Sequence, residues 1–159
     1  MRTQLQIRCL LALLIGCLSV GLVACSETPT NAQARAEYPA IFPDYVGVTI
    51  PYNIAPLNFR LDFPAECCYL RVGDQSYSGK QSIRMDEKKW RKLLEAHKGG
   101  TIEVELFTKQ EGVWSQWKPF TITVSEKPID SHLVYRLIEP GYEKWHIVGI
   151  YQRDLTTFE

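Results

Sequence analysis

The chain is 159 residues long, 45% hydrophobic and 23% charged, with 18 Lys and Arg against 18 Asp and Glu. This length suits one small domain with flanking segments. The even charge balance concentrates no Lys and Arg for a nucleic-acid backbone, so nucleic acid is not an expected partner. The cysteines and histidines form no Cys-x-x-Cys, Cys-x-x-Cys-His or His-x-x-x-His pattern, which leaves zinc and c-type haem without a local ligand set and predicts no cofactor in this chain.

Residues 1–24 read as a secretory signal. Arg2 and Arg8 put positive charge at the start, and Cys9 to Ala24 is an uncharged apolar run ending in small residues. The run falls short of the ~20 apolar residues a membrane-spanning helix needs, and the polar stretch Cys25-Ser-Glu-Thr-Pro-Thr-Asn31 follows without a positive stop. Leu22-Val23-Ala24-Cys25 resembles the lipobox of bacterial lipoproteins, with Leu three positions before the cysteine and a small residue just before it. That resemblance implies cleavage before Cys25, acylation of Cys25 with palmitate-type chains, and a lipid-anchored place in the cell envelope. Several acyl chains hold firmly, since each buried CH2 contributes about 0.8 kcal/mol. Ser26 in place of Asp points to the outer rather than the inner membrane. Ser26-Glu27 faintly resembles the acidic surface-export signals of Bacteroidetes lipoproteins, and the leaflet stays open.

Taking residues 1–24 from 159 leaves 135, and losing Arg2 and Arg8 leaves 16 basic side chains against 18 acidic. Cys9 and Cys17 depart with the signal and Cys25 is expected to carry lipid, so Cys67 and Cys68 remain. They admit a strained vicinal disulfide, which an oxidising periplasm permits. The preferred reading is a strand whose side chains point to opposite faces, with Cys68 as core filler and Cys67 on the other face.

Residues 25–37 read as a flexible tether. Residues 38–56 hold Pro39, Pro43, Pro51 and Pro56 among aromatics and aliphatics, and predict an irregular extended segment along the domain surface. Leu57, Phe59, Leu61 and Phe63 alternate with polar residues, as a half-buried strand does, and Pro64 ends it. Cys68, Leu70 and Val72 continue the alternation up to a Gly73-Asp74 turn. Ile83 and Met85 read as one short strand. Asp86 is a good N-cap for a helix over about 86–98, with Trp90, Leu93, Leu94 and His97 on one face, Lys98 in the last turn and Gly99-Gly100 as the stop. Ile102 to Leu106 alternates again, Gln110-Glu111-Gly112 is a turn, and Trp114 to Val124 runs back with Phe120, Ile122 and Val124 inward. Pro119 predicts a bulge or an edge strand there. Leu133 to Ile138 is a further candidate strand that Pro140-Gly141 ends.

These elements predict a mainly β fold: a small antiparallel Ig or fibronectin III-like β-sandwich with one short helix. The β domain is expected over 57–126, with 127–159 a C-terminal extension that may begin a following domain. Trp114-Ser115-Gln116-Trp117 is similar to the Trp-Ser-x-Trp-Ser box of cytokine-receptor fibronectin domains, with Lys118 in place of the last Ser. A longer likeness is carried by Phe42 to Phe59, by Tyr135-Arg-Leu-Ile-Glu-Pro-Gly-Tyr142 and by Gly149-Ile-Tyr-Gln-Arg-Asp-Leu155. Together they resemble the N-terminal region of a family of Bacteroidetes envelope proteins that continue into a TolB-like propeller with a Cys-x-x-Cys-His haem motif. The resemblance implies a location and an architecture rather than a reaction, and the haem-binding residues themselves are not in this sequence.

Candidate sites are few. His97, His132 and His146 lack a nucleophile context, and Glu103 and Glu105 share the solvent face of a strand, so no enzyme is expected. Trp114, Trp117, Tyr69 and Tyr77, with Tyr45 and Tyr52, offer an aromatic platform for a sugar ring or a protein. The competing reading packs most of them into the core or under the proline-rich segment. The expected function is therefore a non-catalytic, lipid-anchored interaction or structural module with a membrane anchor and a protein partner. The alternatives are a glycan-binding module of an outer-membrane uptake system, and an accessory part of a haem-containing electron-transfer protein.

Overall fold

The computed structural model describes residues 27–138 and 149–158. The signal 1–24, Cys25, Pro140-Gly141 and His146 lie outside the described residues. The elements in chain order are β1 (Gln33–Ala34), β2 (Ile41–Phe42), β3 (Thr49–Pro51), β4 (Phe59–Leu61), β5 (Cys67–Val72), β6 (Gln75–Gly79), β7 (Ser82–Ile83), α1 (Glu87–Ala96), β8 (Thr101–Gln110), β9 (Val113–Gln116), β10 (Phe120–Ser125), β11 (His132–Leu137) and β12 (Gly149–Asp154). Among the described residues the fold is mainly β with one helix, a small sandwich-like arrangement, as the alternating pattern predicted.

The longest strand, β8, organises the larger sheet. One of its edges pairs with β5, which pairs with β6. Its other edge pairs with β9 over the second half and β10 over the first. Beyond these lie β1, parallel to β9, and β3, parallel to β10. The sheet is therefore mixed rather than wholly antiparallel, because residues 27–51 return to its far edge from a distance in sequence. Phe107 faces Gln116 while Val104 faces Phe120, so three residues, 117–119, stand opposite two. This is the bulge Pro119 predicts.

Turn chemistry sets the registers. Gly73, with φ +55°, occupies the first position of the two-residue turn between β5 and β6. Glu111 and Gly112 both take positive φ between β8 and β9, as a two-residue turn matched to strand twist requires.

A three-stranded sheet, β2-β4-β7, lies across the core. Phe59 and Leu61 of β4, Ile83 of β7 and Ile41 of β2 meet Cys68, Leu70, Val72, Ile102, Val104, Leu106, Ile122 and Val124 from the larger sheet in one buried cluster. The strand expected over 57–63 is shorter than its alternation, since β2 and β7 supply ladder partners only for its middle. Residues 38–56 also depart from a surface course: Ile41 and Ile50 are buried members of the core.

The helix fills the rest of that core with Trp90, Leu93 and Leu94. Asp86 caps it, its carboxylate accepting from the Lys89 N–H at 2.9 Å, a cap worth about 1 kcal/mol. The Trp90 indole N–H donates to the Ile54 carbonyl at 3.1 Å. The helix closes at Ala96, two residues before the expected end. His97 caps it, and Lys98 reaches over the Tyr52 ring instead, 3.6 Å from its centroid.

β11 and β12 form a separate two-stranded ribbon. Its base is fixed to the body by backbone-scale bonds. The Asn53 side chain donates to the Ile129 carbonyl at 2.9 Å and accepts from the Ile129 N–H at 3.0 Å. The Ala55 N–H donates to the Leu155 carbonyl at 2.9 Å.

Candidate functional site

Among the described residues, the space between the sheets is filled by side chains. The cavity bounded by residues such as Leu57, Leu70, Trp90 and Ile122 is about 10 Å³, at most the space of a single water.

The four aromatics singled out in the sequence do not meet. β8 and β5 divide them between their two faces. Trp114 is buried on the face away from the main core, in a cluster with Cys67 and Phe107 against which Tyr69 and Ala32 pack. Tyr69 meets Phe107 edge-on at 6.2 Å. Trp117 and Tyr77 pack against the main core instead. The Trp117 indole N–H donates to the Thr108 hydroxyl at 2.9 Å, its ring lies 5.1 Å from that of Phe63, and the Arg35 guanidinium sits 5.3 Å over it. The Tyr77 hydroxyl donates to the Gln75 side chain, and burial and the nearby Asp86 and Asp74 push its pKa up. Tyr45, donating to the Asn58 carbonyl, and Tyr52 also pack against this core. Every one of these rings has a packing partner within the chain.

The polar candidates are also engaged. Glu105 pairs with Arg71 at 2.6 Å and accepts from Gln116 at 3.0 Å, so it and Glu103 do not act as a pair. His97 lies with Nδ1 2.9 Å from the Leu93 carbonyl, and His132 with Nδ1 2.8 Å from the Ser131 hydroxyl. Among the described residues no group of three His, Cys, Asp or Glu is placed to hold a metal ion.

Cys67 and Cys68 occupy opposite faces of β5, as strand geometry predicts. Cys68 is a fully buried free thiol, and burial pushes its pKa up to about 11. Cys67 is disulfide-bonded. The two cysteines therefore do not form a vicinal bridge with each other.

The ribbon presents the surface that the sequence did not single out residue by residue. Register places Leu133, Tyr135 and Leu137 on the same side as Tyr151 and Arg153. The two tyrosine rings stack at 5.9 Å. All four apolar side chains are exposed, between 39% and 50%. Val134 and Ile150 stand on the opposite side, interleaved with Arg136 and Gln152. The alternation of Leu133, Tyr135 and Leu137 is legible in the sequence. Their pairing across an intervening segment with Tyr151 is not.

No family model, curated protein or solved structure matches the chain. The resemblances drawn from residues 38–159 rest on those residues alone.

Proposed function

We propose that this chain is a non-catalytic, lipid-anchored interaction module of the bacterial cell envelope, which docks a protein partner through the β11–β12 ribbon. The observation that carries this reading is the exposed apolar side formed by Leu133, Tyr135 and Leu137 beside Tyr151. A lone two-stranded ribbon is marginal in water and gains stability from a third strand or an apolar surface. Contiguous exposed apolar residues on an otherwise filled fold mark such a contact. The anchor half of the reading is supported by Leu22-Val23-Ala24-Cys25 and the signal pattern before it. The glycan reading gains less support, because its aromatics are divided between two faces and packed.

The test is site-specific photo-crosslinking in intact cells. A photoreactive residue at Leu133 is expected to give a discrete protein adduct that disappears when Tyr135→Ser and Tyr151→Ser are added. The same probe at Glu95, on the solvated side of the helix, is expected to give none. No adduct at position 133, or the same adducts from both positions, refutes the docking surface. A membrane fraction in which the peptide beginning at Cys25 carries no diacylglyceryl group by mass spectrometry refutes the anchor.

A further inference from the structure

The even charge of the whole chain hides an uneven placement. Residues 80–98 carry seven Lys and Arg against Asp86, Glu87 and Glu95, which leaves eleven basic and fifteen acidic side chains elsewhere. All seven cations are exposed. α1 turns Trp90, Leu93 and Leu94 into the core, so Lys88, Arg91, Lys92 and Glu95 share its wet side. This arrangement works against the helix itself. A helix is stabilised by acidic residues in its first turn and basic ones in its last. Here Lys88 and Lys89 stand in the first turn, Glu95 stands in the last, and no basic residue does. Lys88 and Lys92 are like charges at i and i+4, a further destabilising placement. The acids nearby in sequence are already engaged: Glu87 pairs with Arg91 at 3.0 Å, and Asp86 caps the helix. Among the described residues, Lys80, Arg84, Lys88, Lys89 and Lys92 enter no ion pair. Five uncompensated cations thus lie on and just before one helix, at a cost to that helix which an external anion relieves.

We propose that the wet side of α1 is a contact surface for the phosphate headgroups of an anionic lipid bilayer, and that it lays the domain on the membrane. The nearness of a bilayer rests on the lipid-anchor reading above, whereas the charge pattern does not. Four of the five uncompensated cations are lysines, flexible point charges without the fixed fork by which arginine reads one planar anion. The one aromatic in 80–98, Trp90, faces the core, so this side offers no ring on which a nucleic-acid base could stack. It also carries no large apolar residue to insert among acyl chains. A diffuse layer of headgroup charge fits such a surface better than a single shaped ligand. The attraction is therefore electrostatic. Each Lys or Arg held near an anionic surface favours the contact by about fivefold, and the effect fades within about 8–10 Å at physiological salt.

The experiment uses the full chain as a bacterium delivers it, purified in detergent and reconstituted into phosphatidylcholine vesicles with or without phosphatidylglycerol. Brief acetylation followed by peptide mass spectrometry reads the accessibility of each lysine. Lys88, Lys89 and Lys92 are expected to react more slowly, by about fivefold or more, when phosphatidylglycerol is present. Lys118, which stands over Tyr38 outside this segment, is expected to keep its rate. Salt at about 1 M, where the screening length is about 3 Å, is expected to abolish the difference. Lys88→Gln combined with Lys92→Gln is expected to return Lys89 to its rate in phosphatidylcholine alone, with circular dichroism reporting an intact fold. Should that variant unfold, the native chain and the salt series decide. Equal rates in the two kinds of vesicle overturn the proposal, as does slowing that survives high salt or that Lys118 shares in full. If polyglutamate or RNA, added to the phosphatidylcholine vesicles, protects these lysines better than phosphatidylglycerol does, the surface belongs to an acidic protein or a nucleic acid and the lipid contact is overturned. A chain that parts from phosphatidylcholine vesicles on flotation defeats the anchor reading alone. Flotation of that chain with phosphatidylglycerol vesicles then supports the contact, and its failure to float with them overturns it.

Discussion

Replacing Trp117 separates the two roles its sequence context allows. If Trp117 holds the fold together, its removal must lower stability by an amount its contacts set. The indole N–H bond to Thr108, whose residue is 1% exposed, is worth about 1 kcal/mol, and more when its loss strands a buried partner. The tilted contact with Phe63 at 5.1 Å adds about 0.5–1.5 kcal/mol, and the Arg35 guanidinium over the ring adds about 0.5–1 kcal/mol at a partly wet site. Together these put Trp117→Ala at about 2–3 kcal/mol of destabilisation. With a urea m-value of about 1–3 kcal/mol/M, the midpoint falls by about 0.7–3 M. Thr108→Val removes only the acceptor and is expected to cost about 1–2 kcal/mol. The double variant is expected to cost less than the two single changes together, since both delete the same hydrogen bond. Urea unfolding followed by tryptophan fluorescence and circular dichroism measures all three. An unchanged midpoint for Trp117→Ala, or strict additivity with Thr108→Val, would show a ring that contributes nothing to the fold, as a surface platform for sugar does.

Two further expectations follow from buried groups. Cys68 ionises near pH 9.0 when free of its surroundings and at about 11 in the fold. Below pH 9 both states keep the proton, and between pH 9 and 11 only the unfolded chain gives it up, so stability falls by about 1.4 kcal/mol per pH unit across that window. Tyr45 and Tyr77, also raised by burial, add to the slope from about pH 10 upward, so the measurement is the difference between the native chain and Cys68→Ala as a function of pH. A difference that stays flat from pH 8 to 11 contradicts the buried thiol. Asn53→Ala deletes both side-chain bonds to Ile129. It is expected to cost about 1–3 kcal/mol and to speed proteolysis within residues 129–155 well before the body is cut. Equal cleavage rates in both chains would show that the ribbon is held by something else.

The parts of the fold legible in the sequence are those in which one side of an element is wet and the other dry. Phe120, Ile122 and Val124 alternate with Thr121 and Thr123 because β10 has one buried side, and their burial follows the pattern. Asp86, Trp90, Leu93 and Leu94 specify a helix for the same reason. β6 was not legible, since Gln75 to Gly79 is an edge strand held by backbone bonds to β5, and no residue in it is fully buried. β1 and β3 were not legible because two and three residues pair in parallel with strands far along the chain, and local pattern carries no record of such partners. The aromatic site was misleading for a geometric reason. Trp114 and Trp117 are three residues apart, and the period-two alternation of a strand sends such residues to opposite faces of the sheet. The ribbon lay between these cases, with its strands readable one at a time and its apolar side visible only once their register is known.

The brief pairing of β1 would have a mechanical meaning under the proposed N-terminal lipid anchor. Two residue pairs with β9, the Arg35 N–H to the Gln116 carbonyl and the Lys118 N–H to the Glu37 carbonyl are the backbone bonds that keep residues 27–37 along the sheet. Such a short edge strand opens at little cost compared with the body. Unpeeled, those residues extend by about 3.3–3.6 Å each, which adds roughly 35 Å to the distance the domain can stand from its attachment point. Were the chain anchored and docked as proposed, the edge of the sheet would act as a reel, holding the module close when paired and extending its reach by about the width of a small domain when released.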